Sequence, residues 1–396
     1  MKLAFFTFLL LLSSVNSKSA LYEGIFAAER VAARASRIAS RGFSTKISPD
    51  YTECWGTISC LRDIKEATKA VTSGTHPFFN PYEVKDRGYH LFLPNGFGIW
   101  YRGVNNRKFK LTPGVQRLVD PDLPIDAQIR FLEETGMFTE YRLKSPDVHY
   151  VFNNPDLHRS VDNIMSWLTF MQHYGLPTRL LDWTSNPEVA LFFAANNAVS
   201  ETKGRLHVLN AVRLNNYVLE NKGFGVCPQD DLSISLRAEL SLARNAEDLL
   251  NRKTIFEHET YITHVREGGD PTDFLIKLGH PLAVEARRYN PRIVSQEGYF
   301  TIHGGKIFPK SMGTTLPRPT PLEELNYEAV DKGFPPFLIA FDVENQEEIL
   351  RELARHGINE TSLLGEDEAP LTKEMEQLAK KLKEKWTLKK IFLDRA

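Results

Sequence analysis

Cysteine is scarce: three residues in a chain of 396, an odd number that leaves at least one thiol unpaired within a monomer. So few exclude a disulfide-dense scaffold, and no two have the C-x-x-C spacing of a zinc site. Cys54 and Cys60 are near enough to close a small loop in an oxidising compartment. The alternative reading is three ordinary cysteines, Cys227 included. A charge imbalance is lacking too, since 49 Lys and Arg face 50 Asp and Glu for a formal charge of −1. Nothing global therefore argues for nucleic acid or an anionic membrane as partner. Internal repeats and low-complexity tracts are absent. So are the phosphate loop G-x-x-x-x-G-K-[ST], a G-x-G-x-x-G after a strand, and the nucleophile elbow G-x-S-x-G. His258-Glu259 followed by His264 misses the H-E-x-x-H pattern, because histidines six apart do not share a helical face; no metal site is assigned.

What is present is ordinary globular material. The chain is 42% hydrophobic and 25% charged, long enough for about two domains or one large domain with appendages, and able to bury a sizeable core. Its most apolar run, Leu3 to Leu12, follows Lys2 and precedes Ser13, Ser14, Val15, Asn16 and Ser17. A charged start, a short apolar region and small residues near a cleavage point are expected of a secretory signal over residues 1–17. The run is too short to span a bilayer as a mature helix, so no transmembrane anchor is expected after cleavage. A buried N-terminal segment is the alternative. Arg30, Arg34, Arg37 and Arg41 then lie among alanines and serines with few acids, a pattern shared with organelle transit peptides. Export or secretion is the expectation, with organelle targeting as the competing address.

Further along, residues 18–94 read as a helical and then irregular lead-in, rich in Pro, Gly, Thr and Asn after position 46. Gly98-Ile99-Trp100-Tyr101 is strand-like and ends at Arg102-Gly103. A helix is predicted from Pro124 to Arg142 with Ile125, Ile129, Leu132 and Phe138 inward, and a second from about Val161 to His173. Gly175 and Pro177 stop the second. Thr178 to Trp183 predicts a short buried strand. Ser185 and Glu188 have capping-box spacing with Pro187 in the first turn, so a helix is expected to start there and to run on through Ala198. Leu206 to Leu214, Gly298 to His303 and Phe337 to Val343 are strand candidates. Lys310 to Pro321 reads as a loop before the tail, residues 306–396, which carries that last strand and two helices. The stripe Leu371, Met375, Leu378, Leu382 and Trp386 in the final helix predicts core packing.

Three segments carry a resemblance. The first is Trp100-Tyr101-Arg102-Gly103 with Leu111-Thr112-Pro113 and Arg117. The second runs Gln172-His173-Tyr174-Gly175-Leu176-Pro177-Thr178-Arg179-Leu180-Leu181-Asp182-Trp183-Thr184, continuing through Asn186-Pro187 and Ala190-Leu191-Phe192-Phe193-Ala194. The third is Asn290-Pro291-Arg292-Ile293 with Gln296, Gly298 and Phe300. Together they resemble the FRG domain family over residues 95–305, and Gly357-Ile358 looks like that family's C-terminal extension. Family membership names a domain rather than a reaction. The order of the segments also resembles that of Arg-Ser-Glu-type ADP-ribosyltransferases: a strand arginine, a hydroxyl-bearing strand running into an apolar helix, then a Gln/Glu pair. This likeness implies NAD as substrate. Arg102 beside Gly103 would hold its phosphate or ribose, Thr184 and Ser185 would support the nicotinamide ribose, and Glu297 beside Gln296 would stabilise the oxocarbenium-like transition state. Here the sequence departs from that pattern, since Asp182-Trp183-Thr184-Ser185 is not Ser-Thr-Ser and Gln296-Glu297 is adjacent rather than spaced.

From the residues alone, Arg102 and Arg179 suit either a ligand or a buried acid such as Asp182, and His173 suits either ligand contact or a cap at a helix C-terminus. Gly103 would let a ligand approach the backbone. The catalytic candidates are thus Glu297 and Gln296, and the cofactor-binding candidates are Arg102, Gly103, His173, Arg179, Thr184 and Ser185. Three functions compete: an NAD-using transferase or glycohydrolase, a non-catalytic nucleotide- or ligand-binding module, and a secreted interaction protein with an unknown protein partner. The expected fold is α/β or α+β, a central mixed or split sheet with packed helices and a small helical C-terminal extension.

Overall fold

The computed structural model describes residues 54–72, 83–86, 89–92, 98–117, 136–144, 164–196, 203–219, 227–228, 237, 276–285, 291–305, 319–365, and 373–384 without 375. The export signal, the helix expected over 18–45, the first part of the helix from Pro124, most of the loop from Lys310, and His258 to His264 lie outside the described residues. The strands are β1 (Cys54–Ile58), β2 (Glu83–Asp86), β3 (Tyr89–Phe92), β4 (Ile99–Val104), β5 (Leu180–Thr184), β6 (Gly204–Asn210), β7 (Cys227–Pro228), β8 (Leu282–Glu285), β9 (Gly298–Ile302) and β10 (Leu338–Val343). The helices are α1 (Leu61–Thr72), α2 (Gly114–Arg117), α3 (Ile164–His173), α4 (Pro187–Ala195), α5 (Ala211–Val218), α6 (Pro291–Ser295), α7 (Leu322–Asp331), α8 (Gln346–Arg355) and α9 (Glu360–Leu364). Residues 136–144 are helical as well.

Eight strands form one mixed sheet in the order β1-β10-β6-β4-β5-β9-β8-β7, and β2 and β3 make a separate hairpin. Its two outermost pairs, β1 with β10 and β7 with β8, are parallel and the inner ones antiparallel. This is the expected mixed α/β arrangement, and helices cover both faces. One face buries Trp100, Leu180, Leu209, Leu282 and Ile302 against α3, α5 and α7. Its opposite buries Ile99, Tyr101, Leu206, Val208 and Ile339 against α1, α4 and α8. Alternation along β4 thus sends Trp100 to one core and its neighbours to the other, as the two-residue strand period requires.

Helix α4 sits closest to the sheet, and two glycines make this possible. A Cβ on Gly103 would stand 1.8 Å from the Ala190 carbonyl oxygen, and one on Gly204 2.2 Å from that of Ala194. The Cβ side of Gly103 is therefore filled by a helix backbone, which the sequence reading did not anticipate. Because α4 is apolar all round, it is buried on nearly every side, as a uniformly hydrophobic helix must be.

Several element boundaries differ from the sequence reading for local reasons. Helix α3 ends as expected: Gly175 takes φ +82°, the Leu176 N–H donates to the Met171 carbonyl and the Gly175 N–H to that of Gln172. That is a Schellman stop. At the start of α4 the cap is Asn186 rather than Ser185; its side chain accepts from the Glu188 and Val189 N–H groups at 3.0 and 3.4 Å. Strand β6 stops at Asn210, whose side chain accepts from the Arg213 N–H, so the run expected as one strand through Leu214 turns into α5.

Segments on both sides of residues 95–305 join the sheet. Strand β10, from the tail, lies between β1 and β6, and β1 comes from the expected lead-in. Leu382 and Ala379 of the last described helical stretch pack with Trp167, Met171 and Leu176, as the apolar stripe predicts. Cys60 carries a free thiol. None of the helices among the described residues is long and apolar enough to cross a membrane.

Candidate functional site

Strands β4 and β5 pair at a single position, Tyr101 opposite Thr184, whereas β4 and β6 pair along six. Past that point β4 and β5 splay apart, and the split opens a cleft of about 600 Å³. Arg102 lies in the gap. It is the fourth of six residues in β4 rather than the strand end expected from sequence. Its Nη1 donates at 2.6 Å to the Asp182 carbonyl and stands 3.7 Å from that residue's Oδ2. The guanidinium thus replaces the ladder bond that the splay removes.

Arg102 is itself positioned by a relay. The Thr178 hydroxyl donates to Gln172 Oε1, and the Gln172 amide donates to Asp182 Oδ1. Three residues of the second motif segment, together with Gly175, are thereby explained: the glycine stops α3 so that Gln172 points at β5. Asp182 is 55% exposed, so this is a rim ion pair rather than the buried acid anticipated. Only 17% of the Arg102 side chain is exposed, and its Nε is buried with no hydrogen-bond partner. Burial lowers the arginine's pKa from its ordinary value, the Asp182 charge opposes that fall, and Arg117 adds to it. A buried unpaired donor costs about 1–3 kcal/mol.

The cleft is cationic and aromatic. Arg102, Arg117 and Arg292 line it against the acids Asp182 and Glu360, and Tyr101, Phe109, Phe193 and Tyr299 give it flat walls. Tyr299 stacks on Trp100 at 4.6 Å with an interplanar angle of 23°, which fixes its ring. Burial pushes the Tyr101 hydroxyl up to about 12, so it is neutral. From the other side, Arg292 Nε donates to the Leu364 carbonyl at 2.8 Å and Gln296 Nε2 to that of Leu363 at 3.1 Å. These bonds tie α9 to the rim.

The sequence-predicted residues divide into two groups. Arg102, Gly103, His173, Thr184 and Gln296 line the cleft. Arg179, Ser185 and Glu297 are not among the lining residues. Arg179 is buried and its Nη1 donates to the carbonyls of Arg237 at 2.8 Å and His303 at 2.9 Å, so it braces the interior. Ser185 donates through its hydroxyl to Glu297 Oε2 at 2.9 Å, and Asn186 Nδ2 donates to Oε1 at 3.0 Å. Glu297 therefore has both carboxylate oxygens engaged, beside the cleft, from a left-handed backbone at φ +47°. Behind the wall, Trp183 Nε1 donates to Thr301 Oγ1, which also bonds the His303 ring.

Sequence reasoning missed Gln172 as a positioning group and Asn186 as the partner of Glu297. Arg292, named there only as part of the third motif segment, lines the cleft and carries the α9 contact. Among the described residues no group of three or more His, Cys, Asp or Glu could hold a metal ion.

A split mixed sheet with an arginine-bearing, aromatic-walled cleft defines the class as a mixed α/β domain. The FRG domain family matches residues 98–203, so this chain carries an FRG domain that spans β4, α3, β5 and α4. The third motif segment, at Asn290 to Phe300, lies beyond the matched range. Comparison with curated proteins and with solved structures returned no match.

Proposed function

We propose that the cleft binds NAD and that the protein is an ADP-ribosyltransferase-like enzyme or NAD glycohydrolase. The observation that carries this reading is the hydrogen bond from Ser185 to Glu297 at 2.9 Å, beside a cleft entered by Arg102. The three segments that the transferase resemblance names lie on or beside adjacent strands: Arg102 on β4, Thr184 and Ser185 at the end of β5, and Gln296 and Glu297 just before β9. On this reading Arg102 holds the phosphate or ribose of NAD, and Thr184 and Ser185 support the nicotinamide ribose. The bond between nicotinamide N1 and ribose C1′ breaks, and its electron pair leaves with the nicotinamide. Glu297 faces the positive charge that develops on the ribose, an electrostatic role that needs a fixed carboxylate. The oxygen of water, or a nucleophile on an acceptor, bonds to C1′ and gives up its proton to solvent.

A non-catalytic nucleotide-binding module is the second reading, favoured by a separate observation. Both Glu297 oxygens are occupied, by Ser185 and Asn186, and the residue is outside the cleft lining. One assay separates the two. Nicotinamide liberated from NAD by the full chain, with the release abolished in Glu297→Gln while NAD still binds, supports the enzyme. Binding without any release from the wild type supports the module and removes the catalytic role of Glu297.

A further inference from the structure

Phe109 is a large apolar side chain left 56% exposed at the rim of the cleft, in the turn that follows β4. Its position is fixed: the Phe109 N–H donates to the Asn106 carbonyl at 3.0 Å, and the preceding Arg107 N–H donates to that of Lys203 at 2.9 Å. No core cluster among the described residues claims the ring. An exposed aromatic face at a pocket mouth offers a flat surface on which a planar group can stack. Phe193 of α4 lines the same cleft, held edge-on to Phe192 at 5.5 Å. Arg102 lines it as well, from the strand that leads into the turn.

We propose that Phe109 is the stacking platform for the adenine half of NAD, with Phe193 contributing the further wall. This rests on the NAD reading above and extends it by dividing the cleft. The adenine lies against Phe109, the pyrophosphate reaches Arg102, and the nicotinamide ribose continues toward Thr184. A stacked ring accepts any planar base, so the subsite contributes affinity rather than base selectivity.

The test is calorimetric titration of the full chain with NAD, ADP-ribose and nicotinamide mononucleotide, in wild type, Phe109→Ala and Phe109→Trp. Phe109 is exposed, so the variants are expected to fold, and circular dichroism checks this. The expected result is that Phe109→Ala weakens NAD and ADP-ribose about tenfold, leaves nicotinamide mononucleotide unchanged, and that Phe109→Trp restores the loss. Unchanged NAD binding in Phe109→Ala, or an equal loss for nicotinamide mononucleotide, overturns the subsite and leaves the NAD reading standing. Folded wild type that binds none of the three overturns the NAD reading, and the adenine subsite falls with it.

Discussion

Two arginines near the same strand live in opposite surroundings. Arg179, just before β5, is buried and donates to the Arg237 and His303 carbonyls. Arg102, across the splay, has one carbonyl and an exposed carboxylate as partners, and its Nε is buried and unpaired. Four of the described arginines are sealed in the interior: Arg179, Arg205, Arg213 and Arg237. Arg179, Arg213 and Arg237 donate to carbonyls, and Arg205 to Asp342. The interior region shows how this fold satisfies an arginine when the purpose is structure. The cleft region shows one held at the rim by a single carbonyl and an exposed carboxylate.

That contrast can be broken from either side, and the largest effect is expected inside. Arg179→Met leaves two buried carbonyls without a donor, at about 1–3 kcal/mol each. Its urea midpoint should fall by about 3 kcal/mol in stability or more, whereas Arg102→Ala should change stability by less than about 1 kcal/mol. Equal losses in the two variants would erase the distinction between the regions. Gly103→Ala comes next, since its Cβ would lie 1.8 Å from a helix carbonyl that cannot yield without moving α4. A loss of about 1–3 kcal/mol is expected from such overpacking, visible as a lower Tm by calorimetry.

Acid sharpens the interior side of the comparison. Burial pushes His207 and His303 down to about 3, from an ordinary 6.5, with the Arg102 charge adding to the fall in both. The unfolded chain therefore binds more protons than the folded one between these values. Stability from these residues is complete above pH 6.5 and is lost as pH falls toward 3, at about 1.4 kcal/mol per pH unit for each histidine within that window. Unfolding free energies measured from pH 7 to pH 4 should show that slope, and a flat profile would mean the two imidazoles charge without unfolding. The smallest effect is at the relay. Gln172→Leu removes the bridge between Thr178 and Asp182 at the surface, so stability should move by only about 0.5 kcal/mol. Affinity for NAD should weaken about fivefold, and a loss as deep as that of Arg102→Ala would make Gln172 a direct ligand contact instead.

Much of the sheet was readable because strand and helix signals along the motif segments agree with the final packing. Gly175 stopping α3 and Pro187 opening α4 are local chemistry, and local chemistry is what a sequence displays. Where the reading slipped, the deciding partner was distant. Ser185 looked like a helix cap by spacing, but the Glu297 carboxylate, more than a hundred residues away, takes its hydroxyl and leaves capping to Asn186. Gly103 looked like a gap for a ligand, and the gap is filled by the backbone of α4. Leu206 to Leu214 reads as one largely apolar stretch, and the Asn210 side chain turning back onto the Arg213 N–H marks the end of the strand. The cleft itself was half legible: Arg102, His173, Thr184 and Gln296 were picked out, but nothing in the sequence marks the place where β4 and β5 separate. The contribution of β1 and β10 to the central sheet was hidden for the same reason, since strand order is set by long-range pairing.

Calorimetric titration of the folded full chain with NAD, beside Arg102→Ala and a second variant, Thr178→Val, that loosens the relay without touching the guanidinium, tests most directly whether this cleft is a nucleotide site. Binding by the wild type, weakened in Thr178→Val and lost in Arg102→Ala with the fold intact, is the predicted result. No heat from folded wild-type protein, or the same affinity in Arg102→Ala, would contradict it.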